Sequence, residues 1–320
     1  MTMPEPDLVP LAAIRAAAER IAPFIVTTPI IRMTPSGFGL KAESLQPVGA
    51  FKIRGAFNAI LSLSDAERQR GVVAHSSGNH AQAVAYAAQR LGVKAVIVMP
   101  ENAPTIKLES TRRWGAEIHL VDFRGDARVE RCLELSQERG LVIVPPFESM
   151  KIVAGTGTIG LEILAQRPDV RAIYVPVSGG GLIAGVAAAI KQTDKSIHII
   201  GVEPELASDA AQSFRAGEIV RVPPEQTVRT SADGLRVPQL GKIPWAHIRT
   251  YVDDIVTVSE DEIGDAMRKI AAEARLIAEP SGAVALAGAI AHKAEPGSSV
   301  AVLSGGNVDP KLYASIIESA

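Results

Sequence analysis

A single cysteine, Cys132, stands in 320 residues, and that scarcity excludes a disulfide framework or a cysteine-based zinc site. It falls in a helix-like run, Asp126 to Arg139, where it reads as a core or half-buried thiol rather than a nucleophile. Aromatic residues make up only 4% of the chain, too few for the stacking platforms that hold single-stranded nucleic acid. There is no basic arm or patch either. Lys and Arg number 33 against 35 Asp and Glu, for a net charge of −2, and the two signs are interspersed, so no nucleic-acid partner is expected. No apolar run reaches the ~20 residues that span a bilayer. Met1 to Asp7 carry neither the basic start nor the apolar run of a secretory signal. A cytoplasmic protein with no membrane association is the expectation.

What is present is an ordinary globular composition, 47% apolar and 21% charged, in a chain longer than one core usually serves. Residues 11 to 22 read as a helix stopped by Pro23, and Thr28 to Ile31 as extended chain before and through Pro29. From Val72 the pattern becomes regular: strand 72–74, helix 79–91, strand 95–99, helix 104–114, strand 117–121, helix 126–139 and strand 141–144. A second series follows, with helix 158–166, strand 172–177, helix 182–191, strand 197–202 and a helix near 208–216. Residues 217 to 250, with Pro223, Pro224, Pro238 and Pro244, read as an irregular surface wrap, lid or subunit contact. Strand 255–258, helices 260–275 and 281–292, and strand 299–303 complete the series. Short apolar strands alternating with helices of about a dozen residues define an α/β protein with parallel, doubly wound sheets. Two such domains with a cleft between them is the economical arrangement.

Four stretches carry candidate chemistry. In Gly49 to Asn58, Lys52 sits among apolar neighbours beside Arg54. Lost hydration and a nearby cation both favour the neutral, nucleophilic amine, although Phe51, Ala56 and Ile60 also suit a surface lysine opening an amphipathic helix. Ser178-Gly179-Gly180-Gly181-Leu182 lies between a strand and a helix, where backbone N–H groups can converge on a phosphate. Its glycine spacing is too short for the dinucleotide fingerprint, yet Glu203 lies near the acidic offset of that motif, and a plain tight turn is also open. Ser76-Ser77-Gly78-Asn79-His80 likewise ends a strand and opens a helix, suited to receive a carboxylate or simply to cap the helix. His75 and His80 are acid or base candidates ranked below the Ser77 hydroxyl. Ser304-Gly305-Gly306-Asn307 ends the last strand, where an open α/β sheet faces its ligand; the alternative is a strand-ending turn. Glu203, Glu205 and Asp209 form an oxygen-rich segment fit for a hard cation or for plain solvation.

Together, Phe51-Lys52-Ile53-Arg54-Gly55-Ala56, Ser76 to Gln82, Ser178 to Leu182 and Leu303 to Asn307 resemble, in order and spacing, the pyridoxal-phosphate enzymes of fold type II. Within these the chain is most similar to the threonine/serine dehydratase and serine racemase family. The resemblance runs from about Thr28 to Asn307. It implies the tryptophan synthase β-like architecture, with the cofactor in the interdomain cleft, a large cofactor-binding domain of residues 1–70 and 148–320, and a small substrate-binding domain of residues 71–147. Carried over by position, it places pyridoxal 5′-phosphate in a Schiff base on Lys52, with Phe51 against the ring and Asn79 at the 3′-oxygen. Gly179, Gly180, Gly181 and Leu182 would hold the phosphate, and Ser304 would meet the pyridine nitrogen. Ser76, Ser77, Asn79 and His80 would bind the substrate carboxylate. Glu203, the carbonyl of Ala207 and Asp209 would hold a divalent cation such as Mg2+. A homodimer is the family expectation.

The activity implied is ammonia-lyase chemistry on a β-hydroxy amino acid such as L-threonine or L-serine, giving a 2-oxo acid and ammonia. A neutral hydroxyl at the ring nitrogen need not keep it protonated, which makes the ring a weaker electron sink and favours prompt loss of a β-substituent. Lys52 would take the α-proton. Ser77 occupies the position of the opposite-face base in the family's racemases, so serine racemase and 3-hydroxyaspartate dehydratase are the alternatives. Two departures from the family pattern stand out: Pro145-Pro146 before Phe147 in place of His-Pro, and Thr156 in place of glutamine. Both lie near the interdomain hinge, which turns the question toward substrate choice. With the chain ending at Ala320, no C-terminal amino-acid-sensing domain is expected, as suits a catabolic or specialised enzyme.

Overall fold

The computed structural model describes residues 7–76, 78–103, 105–122 and 127–319, excluding the side chains of residues 105–107. Its strands are β1 (Ile30–Arg32), β2 (Gly39–Ala42), β3 (Val72–His75), β4 (Ala95–Pro100), β5 (Glu117–Val121), β6 (Val142–Ile143), β7 (Ala172–Pro176), β8 (His198–Pro204), β9 (Asp254–Val258) and β10 (Ser299–Leu303). One sheet has the order β1-β2-β10-β7-β8-β9 and the other β5-β4-β3-β6. Apart from the antiparallel β1–β2 pair, every pairing is parallel. The fold is that of the doubly wound α/β class.

The reason is visible in burial. Every residue of β4 and β10 is buried, as a parallel sheet covered by helices on both faces demands. Helix Gly181–Lys191 is buried through Ile190 and packs on helix Met150–Gln166. The two backbones approach so closely that a Cβ at Gly185 would lie 2.3 Å from Thr156 Oγ1 and 2.4 Å from the Val153 carbonyl oxygen. That contact explains a difference from the sequence expectation: the helix begins at Met150, not Thr158. Gly155, Gly157 and Gly160 lower its propensity but admit the neighbouring backbone and side chains.

Residues 217–250 are less irregular than their prolines suggest, containing helix Lys242–Tyr251 with Pro244 in its first turn, where the missing N–H is tolerated. This helix backs the 178–182 turn: a Cβ at Gly180 would meet Pro244, Ile248 and Leu240. The helix expected over 260–275 is α-helical over Glu260–Lys269 and continues as a π turn over Ile270–Ala274. Arg275 then ends it in the left-handed region, at φ 60°. The helix expected over 126–139 spans Ala127–Arg139, residue 126 lying outside the described residues. Cys132 is buried there, its thiol pushed up to about 11 by burial, which suits an inert core position.

Candidate active site

The Lys52 segment is laced to the end of β10 by backbone. Phe51 N–H donates to the Ser304 carbonyl at 3.0 Å and Gly306 N–H to the Gly49 carbonyl at 2.9 Å. Ala50 and Gly305 pair across an isolated antiparallel bridge. Two stretches more than 250 residues apart in sequence thereby form one wall, and helix Lys52–Leu61 starts from it. Among the described residues the Ser304 hydroxyl, 5% exposed, has only a long 3.4 Å contact with the Ser281 carbonyl.

The Lys52 amine donates to the Pro146 carbonyl at 2.8 Å and lies 5.1 Å from the centre of the Phe51 ring. Burial lowers its pKa to about 8, since an ammonium there gives up water for a carbonyl and an aromatic face. The anticipated contribution of Arg54 is absent. That guanidinium, fully buried, is gripped by Glu43 at 2.7 Å and Glu162 at 2.7 Å. Glu162 also pairs with buried Lys41. Arg54 therefore anchors the start of the helix and does not tune the amine.

The Ser178 to Leu182 turn joins β7 to helix Gly181–Lys191, and Gly180 takes φ 88°, a conformation that favours glycine. A Cβ at Gly179 or Gly181 would lie 2.4 or 2.9 Å from Phe147. The turn is thus a backbone cradle at a helix N-terminus with no room for side chains. Thr156 donates to the Gly181 carbonyl at 2.7 Å, so this departure from the family pattern sits against the cradle. The carbonyl that holds Lys52 belongs to Pro146, the proline shared with the family pattern, and the departing residue there is its neighbour Pro145.

Asn79 opens helix Asn79–Arg90 just past β3. Its Nδ2 donates to Glu279 Oε1 at 2.6 Å, and its Oδ1 accepts from Asn307 Nδ2 at 2.8 Å. His80 is buried with Nε2 2.9 Å from the Val144 carbonyl. A carbonyl only accepts, so Nε2 carries the proton and Nδ1 is left as an acceptor. Burial, the Lys52 charge and His75 hold its pKa down at about 3, against the Val144 bond that raises it. The ring therefore stays neutral and offers a carboxylate no free N–H. Ser76 Oγ accepts from Gly78 N–H at 3.2 Å. Ser77 lies outside the described residues. His75 is held below its usual range by burial and then by the charge of the Arg128 guanidinium.

Away from the lysine, Glu203 at the end of β8 and Asp209 at the start of helix Asp209–Ala216 are both fully buried. Glu203 accepts from the N–H groups of Ala210 and Ala211 at 3.3 and 2.8 Å. Neither oxygen of Asp209 has a hydrogen-bond partner among the described residues. Burial and then Asp209 push the Glu203 carboxyl well above its ordinary range. Among the described residues there is no cluster of three or more His, Cys, Asp or Glu side chains fit for a metal; the pair is two carboxylates beside a turn through Ala207.

Residues 21–305 match the family model described as "Pyridoxal-phosphate dependent enzyme", and the chain belongs to that family. It is 44% identical over 279 residues to the L-threonine ammonia-lyase of Thermotoga maritima, covering 87% of this chain and 69% of that protein. It is 42% identical over 309 residues to the L-threo-3-hydroxyaspartate ammonia-lyase of Saccharomyces cerevisiae, covering 94% of each. Among solved structures, maize serine racemase superposes with a TM-score of 0.91 at 40% identity, covering 97% of each chain. The family comprises lyases and racemases that use pyridoxal phosphate on amino acids, and the fold is that of type II. The side-chain-free cradle at Gly179 to Gly181 fits its phosphate group. No helix among the described residues is long and apolar enough to cross a membrane.

Three residues escaped the sequence reading. Glu279 is an isolated acid before Pro280 in an otherwise apolar Ile-Ala-Glu-Pro-Ser-Gly run, which is the one signal that marks it. Asn307 lay within a recognised motif but without a role. Arg128 belongs to no motif.

Proposed function

We propose that this chain is a pyridoxal-phosphate-dependent ammonia-lyase that converts a small β-hydroxy amino acid, L-serine or L-threonine, to a 2-oxo acid and ammonia. The observation that carries the reading is the Lys52 amine, depressed to about 8 by burial on a wall whose backbone is bonded to Ser304. Bound pyridoxal phosphate supplies the electron sink for the charge left when the α-proton departs. Lys52 takes that proton at Nζ, and the Pro146 carbonyl holds the resulting ammonium. Phe51 packs against the ring, Ser304 meets its nitrogen, Asn79 its 3′-oxygen, and the Gly179 to Leu182 turn its phosphate. The N–H groups at the start of helix Asn79–Arg90, with Ser76 and Ser77, receive the substrate carboxylate. The neutral His80 ring fixes that helix start to Val144 and leaves the carboxylate to the backbone beside it. Ser304 would bring only a hydroxyl to the ring nitrogen, which favours elimination, and the β-hydroxyl leaves as water on the proton that Lys52 Nζ has taken.

The orphaned oxygens of Asp209 fit a divalent cation held by Glu203, Asp209 and the Ala207 carbonyl, which would neutralise the two facing carboxylates. Residues 1–70 with 148–320 form the cofactor domain in this reading and residues 71–147 the substrate domain. The expected working state is a cytoplasmic homodimer.

A second reading, 3-hydroxyaspartate as substrate, is favoured by Arg128, whose charge reaches His75 at the end of β3 and can receive a second carboxylate. The similarity to the yeast 3-hydroxyaspartate lyase supports it. Racemisation would need Ser77 to reprotonate the opposite face.

The test is the absorbance spectrum of the purified protein beside Lys52→Ala, followed by an ammonia-release screen over L-serine, L-threonine and 3-hydroxyaspartate with chiral analysis of residual serine. A Lys52-dependent cofactor band and 2-oxo acid formation are expected. The same band in both proteins, or inversion of serine without ammonia, would falsify the assignment.

A further inference from the structure

Asn79 is held by a chain of hydrogen bonds whose polarity starts from a backbone carbonyl. Asn307 Nδ2 donates to the Val48 carbonyl at 2.8 Å, and since that oxygen only accepts, the Asn307 amide cannot be turned over. The same nitrogen faces Asn79 Oδ1 at 2.8 Å, so Asn79 must present oxygen to it. Asn79 Nδ2 then faces Glu279 Oε1 at 2.6 Å, and a carboxylate is the acceptor it requires. Turning the Asn79 amide over would set N–H against N–H on one side and oxygen against oxygen on the other.

The surrounding glycines make room for this chain and for nothing larger. A Cβ at Gly305 would lie 2.1 Å from Glu279 Oε1, one at Gly49 2.4 Å from Asn307 Oδ1, and one at Gly282 2.2 Å from the Gly305 carbonyl oxygen. Gly49 is also at φ 70°. Glu279, 4% exposed, further receives Gly305 at its own backbone: its N–H donates to the Gly305 carbonyl at 3.2 Å. The glycines of the Ser304 to Asn307 turn and of the lysine segment are thus shaped around a polar relay that ends on Asn79.

We infer that Glu279 and Asn307 are positioning residues that lock the Asn79 amide with Nδ2 as a donor, leaving its second N–H for an acceptor oxygen on the cofactor ring. The lock presents a donor to the ring, so it favours a ring oxygen that accepts, an ionised one most strongly. It rests on the proposed cofactor role of Asn79. Glu279 and Asn307 act through Asn79 and touch neither substrate nor the reacting atoms in this account.

The test is equilibrium binding of pyridoxal 5′-phosphate and of its 3-deoxy analogue, which lacks the ring oxygen, to the cofactor-free protein. Wild type is expected to prefer pyridoxal phosphate by roughly tenfold or more, the worth of a hydrogen bond to a charged oxygen. Asn307→Asp, which cannot donate to Val48 or Asn79, and Asn79→Ala should both bring the two ligands to about equal affinity. Glu279→Leu should do the same, whereas Glu279→Gln, whose amide oxygen still accepts, should restore most of the preference. Preference kept in Asn307→Asp and Glu279→Leu, whatever the absolute affinities, overturns the lock. Should Asn307→Asp fail to fold, Asn307→Ala and the Glu279 pair decide the matter by the same ratio. Failure of the cofactor reading itself looks different: wild type then shows no preference and no Lys52-dependent absorbance, and the lock falls with it.

Discussion

Replacing the lysine at the centre of the site should make the cofactor-free protein more stable. Burial lowers the Lys52 pKa from 10.5 to about 8, so near neutral pH the folded protein holds an ammonium where a neutral group would be easier to keep. At 1.36 kcal/mol per unit this costs the folded state about 3 kcal/mol. Lys52→Met keeps the length of the side chain and removes the charge. It also removes the bond to the Pro146 carbonyl, worth about 1 kcal/mol, so the net gain is about 2 kcal/mol. Unfolding entropy near 2.1 cal/mol/K per residue gives about 0.7 kcal/mol/K for a chain of this length, and the gain becomes a rise of roughly 3 °C in Tm.

The pH dependence separates this mechanism from a generic packing effect. Below about pH 8 both folded and unfolded chains carry the proton and the full cost is present. Between about 8 and 10.5 the unfolded chain binds more protons than the folded one, so wild-type stability rises with pH relative to the variant. By about pH 9.5 roughly half of the electrostatic cost is gone and the Tm difference should shrink below about 1 °C. Scanning fluorimetry of both cofactor-free proteins at pH 7 and 9.5 reads this directly, since every other titrating group is shared. A variant less stable than wild type at pH 7, or a gap of the same size at both pH values, refutes the reasoning.

Three further outcomes are expected. Mg2+ at about a hundredfold its dissociation constant should stabilise the wild type by about 3 kcal/mol, a few degrees in scanning fluorimetry reversed by EDTA; Asp209→Asn should abolish the response. Arg128→Gln should lower kcat/KM for 3-hydroxyaspartate by roughly tenfold or more while changing that for L-serine by less than about twofold, because only the former offers a second carboxylate. Glu43→Ala leaves the buried Arg54 guanidinium without the acceptor of its Nε and should cost about 3–5 kcal/mol in urea unfolding. In the wild type the same support should fade in acid: burial raises the Glu43 carboxyl, Arg54 outweighs it and holds it below 4.5, so stability is lost as pH falls through that lowered value.

The sheets were legible because buried parallel strands read as short apolar runs, as in Ala95–Pro100 and Ser299–Leu303. The segments at the strand ends were legible because glycine, serine and asparagine there have few other reasons to cluster. Features set by distant partners were not. Strand Gly39–Ala42 contains Lys41, which is acceptable in a fully buried strand only because Glu162 and the Thr28 carbonyl meet it from elsewhere. Helix Met150–Gln166 was read short because the glycines that weaken it locally are the ones that let helix Gly181–Lys191 approach. Glu279 lies 200 residues from the asparagine it faces, and nothing in its neighbourhood names that partner.

The pairing of Arg54 with Glu43 and Glu162 bears on how the proposed catalytic lysine is set up. Two residues past Lys52, a bare buried cation would depress the amine much further and would itself be costly to hold. Instead Arg54 and Lys41 face Glu43 and Glu162, two charges of each sign in one buried cluster. A cluster with no net charge exerts little field on an amine beyond its own hydrogen bonds. The depression of Lys52 accordingly has burial as its one cause. The division of labour follows: the ion cluster fixes the start of helix Lys52–Leu61 rigidly, while burial of the amine sets how readily it gives up its proton. A pKa of about 8 leaves the amine neutral often enough to act as a base, yet able to keep a proton once taken. Substitutions in the cluster should therefore act on stability and on cofactor retention through helix position, and substitutions that alter the Pro146 to Phe147 turn should act on the pH profile.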